Sequence, residues 1–203
     1  MSKSLGNSPD PLDLIDKYGA DGVRVGMLMT APAGNDLLFD EDLCSQGSFF
    51  ANKVWNAFRL VGMWEAGAQG MSASESLSVQ WMRNRIGEAL VELESSFEKY
   101  RLSEALMTTY KLVWDDFCSW YLEMVKPAKG EQISAEALEA TKSIFNTLLE
   151  IMHPFMPFIT EELWQNLAER EAGQTINFAA WPTLKVEDQA ILKSYAHFAE
   201  VVS

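Results

Sequence analysis

Two groups of side chains have the types and spacing for chemistry on phosphates or nucleobases. Ser2-Lys3-Ser4, set in the small polar stretch Met1 to Pro9, offers a mobile ammonium that can meet phosphate oxygens. Lys53, Asn56, Arg59 and Leu60 stand at offsets of three, six and seven, which on a helix places them along one stripe. The stripe lies in a window, Leu43 to Trp64, that carries Lys53 and Arg59 and no acid. A stretch that long would be expected to hold about three of the chain's 29 acids. A second acid-free stretch, Leu77 to Gly87, carries Arg83 and Arg85, which are candidates for phosphate contact.

Other chemistry is thinly represented. The chain has two histidines and two cysteines, and lacks a GxSxG elbow, a GxGxxG fingerprint and a GxxxxGKS/T loop, so an independent enzyme is not expected. Glu150 and His153 form a Glu-x-x-His pair on a helix, half of what a di-iron bundle uses. His197, with Ser194 three residues before it, supplies no second copy, so His153 reads as a capping or core residue and no metal is expected. Cys44 and Cys118 lie in apolar, helix-like contexts and read as buried thiols. The net charge of -13 argues against a general affinity for polyanions and leaves room only for a local cationic patch. No apolar run approaches a membrane span and Met1 to Asn7 lacks a signal-like apolar stretch, so a soluble, cytoplasmic protein is expected.

The elements that must position these residues are helical. Asp10, Pro11 and Asp13 start a short helix that Gly19 ends, and Asp21 is placed to cap a second from Gly22 to Met29. Ala31 to Asp40, with Pro32, Gly34, Asn35 and Asp36, must turn and marks a domain boundary. Apolar residues then recur at helical spacing from about Glu41 to Trp64, again from Trp81 to Phe97, and again from Leu106 to Met124, with Ser103 as cap before the third run and Pro127 and Gly130 after it. Ser134 caps a fourth helix through Met152, and Thr160 with Glu161 and Glu162 starts a short fifth bearing Leu163 and Trp164. The remainder reads as irregular, with one short extended piece between Thr175 and Trp181. The fold class is all-α, an antiparallel helix bundle with a small helical prefix.

Several words of the sequence, in order, resemble one family. Met1-Ser2-Lys3-Ser4, followed by Ser8-Pro9-Asp10-Pro11 and Tyr18-Gly19-Ala20-Asp21-Gly22-Val23-Arg24, resembles the KMSKS loop and following segment of class I aminoacyl-tRNA synthetases. Ala51 to Ala57 looks like the family's "NKLWNA" helix, Asp116 to Glu123 with Lys126 like its "dfcdWYlE..K" segment, and His153 to Trp164 like "HPfmPFitEElW". The stretch Asn7 to Ile15, Ala31 to Asp36 and Ile176 to Pro182 are closer to the valyl branch than to the isoleucyl or leucyl branches.

The resemblance implies a KMSKS remnant at 1–9, a stem-contact segment and linker at 10–40, an anticodon-binding bundle at 41–182 and an extension at 183–203. It implies that Lys3 matches the lysine that binds ATP phosphates during valine activation, with ATP and Mg belonging to the intact enzyme and no cofactor to this part. The first motif lysine and a Rossmann-type catalytic domain would precede Met1, so Lys3 is expected to be disordered and idle here. It implies the anticodon stem-loop of tRNA(Val) as partner, read by residues matching Lys53 and Arg59 and by an aromatic at the next position. This chain has Leu60 there, which weakens base stacking or transfers it to a neighbour such as Phe58. Trp55 and Phe58 are expected to point inward, and Trp120, Tyr121, Phe158 and Trp164 to be packing residues. Arg24 and Asp21 read as structural, as ready to pair with each other as to touch RNA. The same domain of an isoleucyl enzyme, an acidic helical protein-interaction module and a metal-dependent bundle enzyme are the competing readings.

Overall fold

The computed structural model describes residues 9–30 and 39–202, with side chains as far as 195. Asp10 accepts the Leu12 N–H at 2.9 Å and Pro11 takes the first helical position, starting α1, Pro11–Met29. Gly19 interrupts it at φ 75° and ψ 156°, a conformation open to a residue without Cβ, so the two expected short helices meet at a kink. Asp40 accepts from Asp42 and starts α2, Glu41–Gly62. The two helices pack backbone to backbone: a Cβ on Gly26 would lie 2.6 Å from the Cys44 nitrogen, and one on Gly47 would lie 2.5 Å from the Gly22 carbonyl oxygen. Lys17 and Tyr18 add donors to the Glu41 carboxylate at 2.8 and 2.9 Å.

The rest of the bundle follows in short connections. Ser72 and Glu75 form a reciprocal capping box at the start of α3, Ala73–Glu98. Tyr100, at φ 56°, and the Arg101 N–H bonded to the Ser96 carbonyl at 2.8 Å turn the chain back. A continuous rod then comprises α4, Leu102–Lys111, a ten-residue π-helical segment, Leu112–Tyr121, and α5, Leu122–Val125. Ser103 is therefore inside the rod rather than its cap; Arg101 holds that position without a side-chain hydrogen bond. Ser134 caps α6, Ala135–Met152, as expected, by accepting the Ala137 N–H at 3.1 Å.

The start of α6 is tied to the start of α3. Residue pairs β1, Ala66–Gly67, and β2, Ile133–Ser134, make a minimal parallel bridge, and Glu75 accepts the Ser134 N–H at 3.2 Å as well as the Ser72 N–H at 2.7 Å. Consecutive long helices thus run antiparallel, with α3 and α6 leaving from the same end. Their apolar faces meet in one core that includes Phe50, Val54, Met82, Leu93, Phe117, Tyr121, Phe145 and Leu148. Among the described residues no helix is long and apolar enough to cross a membrane.

A second tie joins α1 to the far side. Helix α7, Pro157–Leu167, is capped from a distance: the buried Asp21 carboxylate accepts the Phe158 N–H at 3.3 Å and the Ile159 N–H at 2.7 Å. Arg24 donates to the Pro154 and Phe155 carbonyls at 3.0 and 3.2 Å. Asp21 does not cap its own helix and Thr160 does not cap α7. Thr160 lies in the first turn and donates to the Met156 carbonyl at 2.7 Å. The C-terminal stretch is more ordered than its sequence suggests. Thr175 caps a 3-10 turn, Ile176–Phe178, where an extended piece was expected, and α8, Gln189–Val202, packs back on α3 with Tyr195 stacked 4.4 Å from Trp81.

Candidate nucleic-acid interface

Helix α2 presents one face to the core and the opposite one to solvent. Cys44, Gly47, Phe50, Val54, Ala57 and Val61 are buried, at the three- and four-residue spacing of a helix stripe. Asn52, Trp55, Asn56 and Arg59 are exposed on the other side. Lys53 sits at the margin, half-buried, with its ammonium 5.1 Å from the centre of the Trp114 ring. Among the described residues neither Lys53 nor Arg59 takes part in an ion pair. Arg59 also lies in the last turn of α2, where a cation is favoured by the helix dipole.

The structure therefore brings Asn56 and Arg59 together on an open face and places Lys53 on its flank. It does not do so for Leu60, which is half-buried and packed against the core. Trp55 corrects the expectation of an inward ring, because it is 40% exposed. Phe58 does turn toward the interior: it is half-buried, with its ring 6.4 Å from Phe145. Asn52 and Trp55 were missed by sequence reasoning, although both fall one turn from residues in the stripe, Asn52 from Asn56 and Trp55 from Arg59.

The second acid-free window does not make a cationic surface. Arg85 is half-buried and engaged: it donates to the Asp116 carboxylate at 2.8 and 3.1 Å and to Glu88. Burial alone would lower its pKa, but the Asp116 and Glu88 carboxylates hold it above its ordinary value, while burial pushes Asp116 up. Arg85 is thus a packing cation rather than a phosphate ligand, because its donors are spent on partners absent from its own stretch of sequence. Arg83 is exposed, yet it borders grooves of about 340 and 500 Å³ whose walls include Glu136, Glu139, Glu150 and Glu187. Lys185 is the one other cation on those walls, so carboxylates outnumber cations around a phosphate placed there.

The remaining candidates are structural. His153 bridges Thr160 at 2.7 Å and Asn177 at 3.0 Å, holding the end of α6 to α7 and the 3-10 turn. Glu150 accepts from Asn146 at 2.7 Å, and among the described residues no cluster of His, Cys, Asp and Glu could hold a metal ion. Tyr121 is buried with its hydroxyl 2.8 Å from Thr141, and Trp164 is buried with the Arg170 guanidinium 3.5 Å over its ring. Phe158 differs from expectation: its side chain is 64% exposed, and its part in packing is the backbone N–H given to Asp21. Cys44 is buried and Cys118 half-buried; burial raises both thiols, that of Cys118 to about 12, which disfavours the thiolate form in each. Lys3, the side chain of His197 and most of the turn at 31–40 lie outside the described residues.

Comparison with known proteins gives this geometry a context. The family described as "Anticodon-binding domain of tRNA ligase" matches residues 79–203, and that described as "tRNA synthetases class I (I, L, M and V)" matches residues 1–40. Helix α2 lies between the two matches. The chain is 54% identical to a valine–tRNA ligase of Christiangramia forsetii over 100% of its own length and 23% of the relative's. It is 60% identical to that of Bacteroides fragilis over 87% of the chain and 20% of the relative, and 40% identical to that of Listeria monocytogenes over 94% and 22%. It thus spans less than a quarter of the length of these relatives. Among solved structures, the LeuRS chain of a ternary complex with tRNA and LeuAMS from Agrobacterium radiobacter K84 shares the fold, with a TM-score of 0.63 at 18% identity over 95% of this chain and 22% of that one.

Proposed function

We propose that this chain, which belongs to the family of anticodon-binding domains of tRNA ligases, reads the anticodon loop of a valine transfer RNA with the solvent face of α2. The observation that carries the reading is the exposed Asn56 and Arg59, with Lys53 beside them, in ion pairs with no described carboxylate of a chain whose net charge is -13. A loop of RNA offers unpaired base edges to the amide and phosphate oxygens to the cations, while the acidic surroundings disfavour RNA elsewhere on the surface. Valine rather than isoleucine is supported by relatives that are valine–tRNA ligases.

The same reading extends to the longer protein. Residues 1–40 match class I synthetases, so we assign Lys3 to phosphate contact in an ATP- and Mg-dependent ligation of valine, carried out with a catalytic domain of the same protein. Residues 10–40 would then be the stem-contact segment and 41–182 the bundle that reads the anticodon. A reading surface benefits from a fixed support, and the first turns of α2 are held by direct backbone packing on α1 at Cys44, Gly47 and Ser48.

The test is titration of this chain with a tRNA(Val) transcript and with the same transcript carrying a substituted anticodon. The native transcript should bind more tightly, with an affinity that falls as salt rises along a log–log slope of roughly -1.4 for two cations on single-stranded RNA. Arg59→Ala should weaken binding while costing the fold no more than the favourable helix-end charge it removes, about 0.3 to 1 kcal/mol. Equal affinity for the two transcripts would remove the anticodon from the reading.

A further inference from the structure

We infer that Trp55 is the side chain on which an anticodon base stacks; this rests on the RNA-reading role proposed above. Its placement argues for it first. Trp55 lies one helical turn from Arg59 and three residues from Asn52, so the ring, a cation and two amides share one contiguous patch of α2. An indole in such a patch offers a π surface within reach of the same nucleotide that the amide and guanidinium would hold.

The ring is also prepared for contact rather than loose on the surface. Its centre lies 6.1 Å from that of Phe58, and Phe58 in turn lies 6.4 Å from the fully buried Phe145. The indole is braced through Phe58 against the core, which lowers the entropy lost when a base settles on it. At 40% exposed, it still keeps a large apolar area in water that a base would cover. Leu60 and Phe58 cannot supply the stack, because both are half-buried and packed inward.

The experiment measures binding of this chain, as wild type, Trp55→Ala, Trp55→Phe and Arg59→Ala, to an RNA hairpin with the anticodon stem and loop of a valine tRNA. Each loop base is replaced in turn by an abasic site. Trp55→Ala should weaken binding of the intact hairpin roughly 5- to 150-fold, the range equivalent to one base–aromatic stack, and Trp55→Phe should restore most of it. At one abasic position the wild type and Trp55→Ala should bind alike, a coincidence that a merely structural tryptophan would not produce. If Trp55→Ala binds as wild type does while Arg59→Ala is weakened, the stacking assignment is wrong and the RNA-reading role stands. A loss from Trp55→Ala that is the same at every abasic position also overturns it. If no protein distinguishes the hairpin from one of scrambled loop sequence, the role itself fails and the assignment with it.

Discussion

Removing the Asp21 carboxylate should unfasten the far end of the bundle from α1. Its two oxygens accept the first free N–H groups of α7 at 3.3 and 2.7 Å, and Asp21 is only 7% exposed. Loss of an N-cap costs about 0.5 to 2 kcal/mol, and burial of this one points to the upper end, so Asp21→Ala is expected to destabilise the chain by about 2 kcal/mol. With an m-value of about 2 kcal/mol/M, the urea midpoint should fall by about 1 M. Asp21→Asn should be milder. Burial pushes the Asp21 carboxyl above its ordinary value against the pull of the Ile159 and Phe158 amides, so the charge itself is held at a cost, and an amide oxygen can still accept one of the two N–H groups. The measurement is equilibrium urea unfolding of the three proteins, followed by circular dichroism. An alanine variant within about 0.5 kcal/mol of wild type would show that the long-range cap contributes little, and an asparagine variant as damaged as the alanine one would show that an amide oxygen cannot stand in for the carboxylate.

Two further outcomes follow from the geometry. Gly47→Ala puts a Cβ 2.5 Å from the Gly22 carbonyl oxygen and should cost about 1 to 3 kcal/mol, whereas Gly62→Ala, with nothing within 4 Å, should gain about 0.4 to 1 kcal/mol; opposite shifts in thermal midpoint check both, and like-signed shifts refute the close approach. Burial works against ionisation of Glu75 and Glu161, but hydrogen bonds from Ser72 and Ser134 to the first, and from Gln165, Thr175 and Ile176 to the second, hold both carboxyls below their ordinary 4.5. Their contribution to stability is therefore complete above pH 4.5 and is lost as the pH falls through the depressed values. The stability gap between wild type and Glu75→Gln or Glu161→Gln should accordingly close below pH 4.5, and a gap unchanged at about pH 3.5 would contradict this.

Local signals were legible in the sequence where the partner is close along the chain. Asp10 and Ser134 cap the helices they precede, Gly19 breaks α1, and helical spacing finds the long elements, because each depends on groups within a few residues. The failures share a cause: the partner lies far away in the chain. Asp21 caps α7 across 137 and 138 residues, so Thr160, the local candidate, is left inside the helix. Arg85 pairs with Asp116 across 31 residues, and no reading of the acid-free window around it could reveal that. In the candidate interface, spacing and missing acids single out Lys53, Asn56 and Arg59, of which the fold leaves Asn56 and Arg59 exposed and Lys53 half-buried. Trp55 was misplaced because aromatic character alone argues for burial and its position beside the core stripe leaves the matter to the neighbours.

The single carboxylate of Glu75, shared by the starts of α3 and α6, also fixes where those helices finish. Helices of 26 and 18 residues differ in length by about 12 Å at 1.5 Å per residue, so α3 runs about two turns further than α6 from the end they share. Phe97, near its tip, meets Phe155 at 6.2 Å from one connection and Trp181 at 5.7 Å from another. The extra length of α3 thus carries Phe97 to the bend after α6, and lengthening α6 by two turns would carry Phe155 away from that ring.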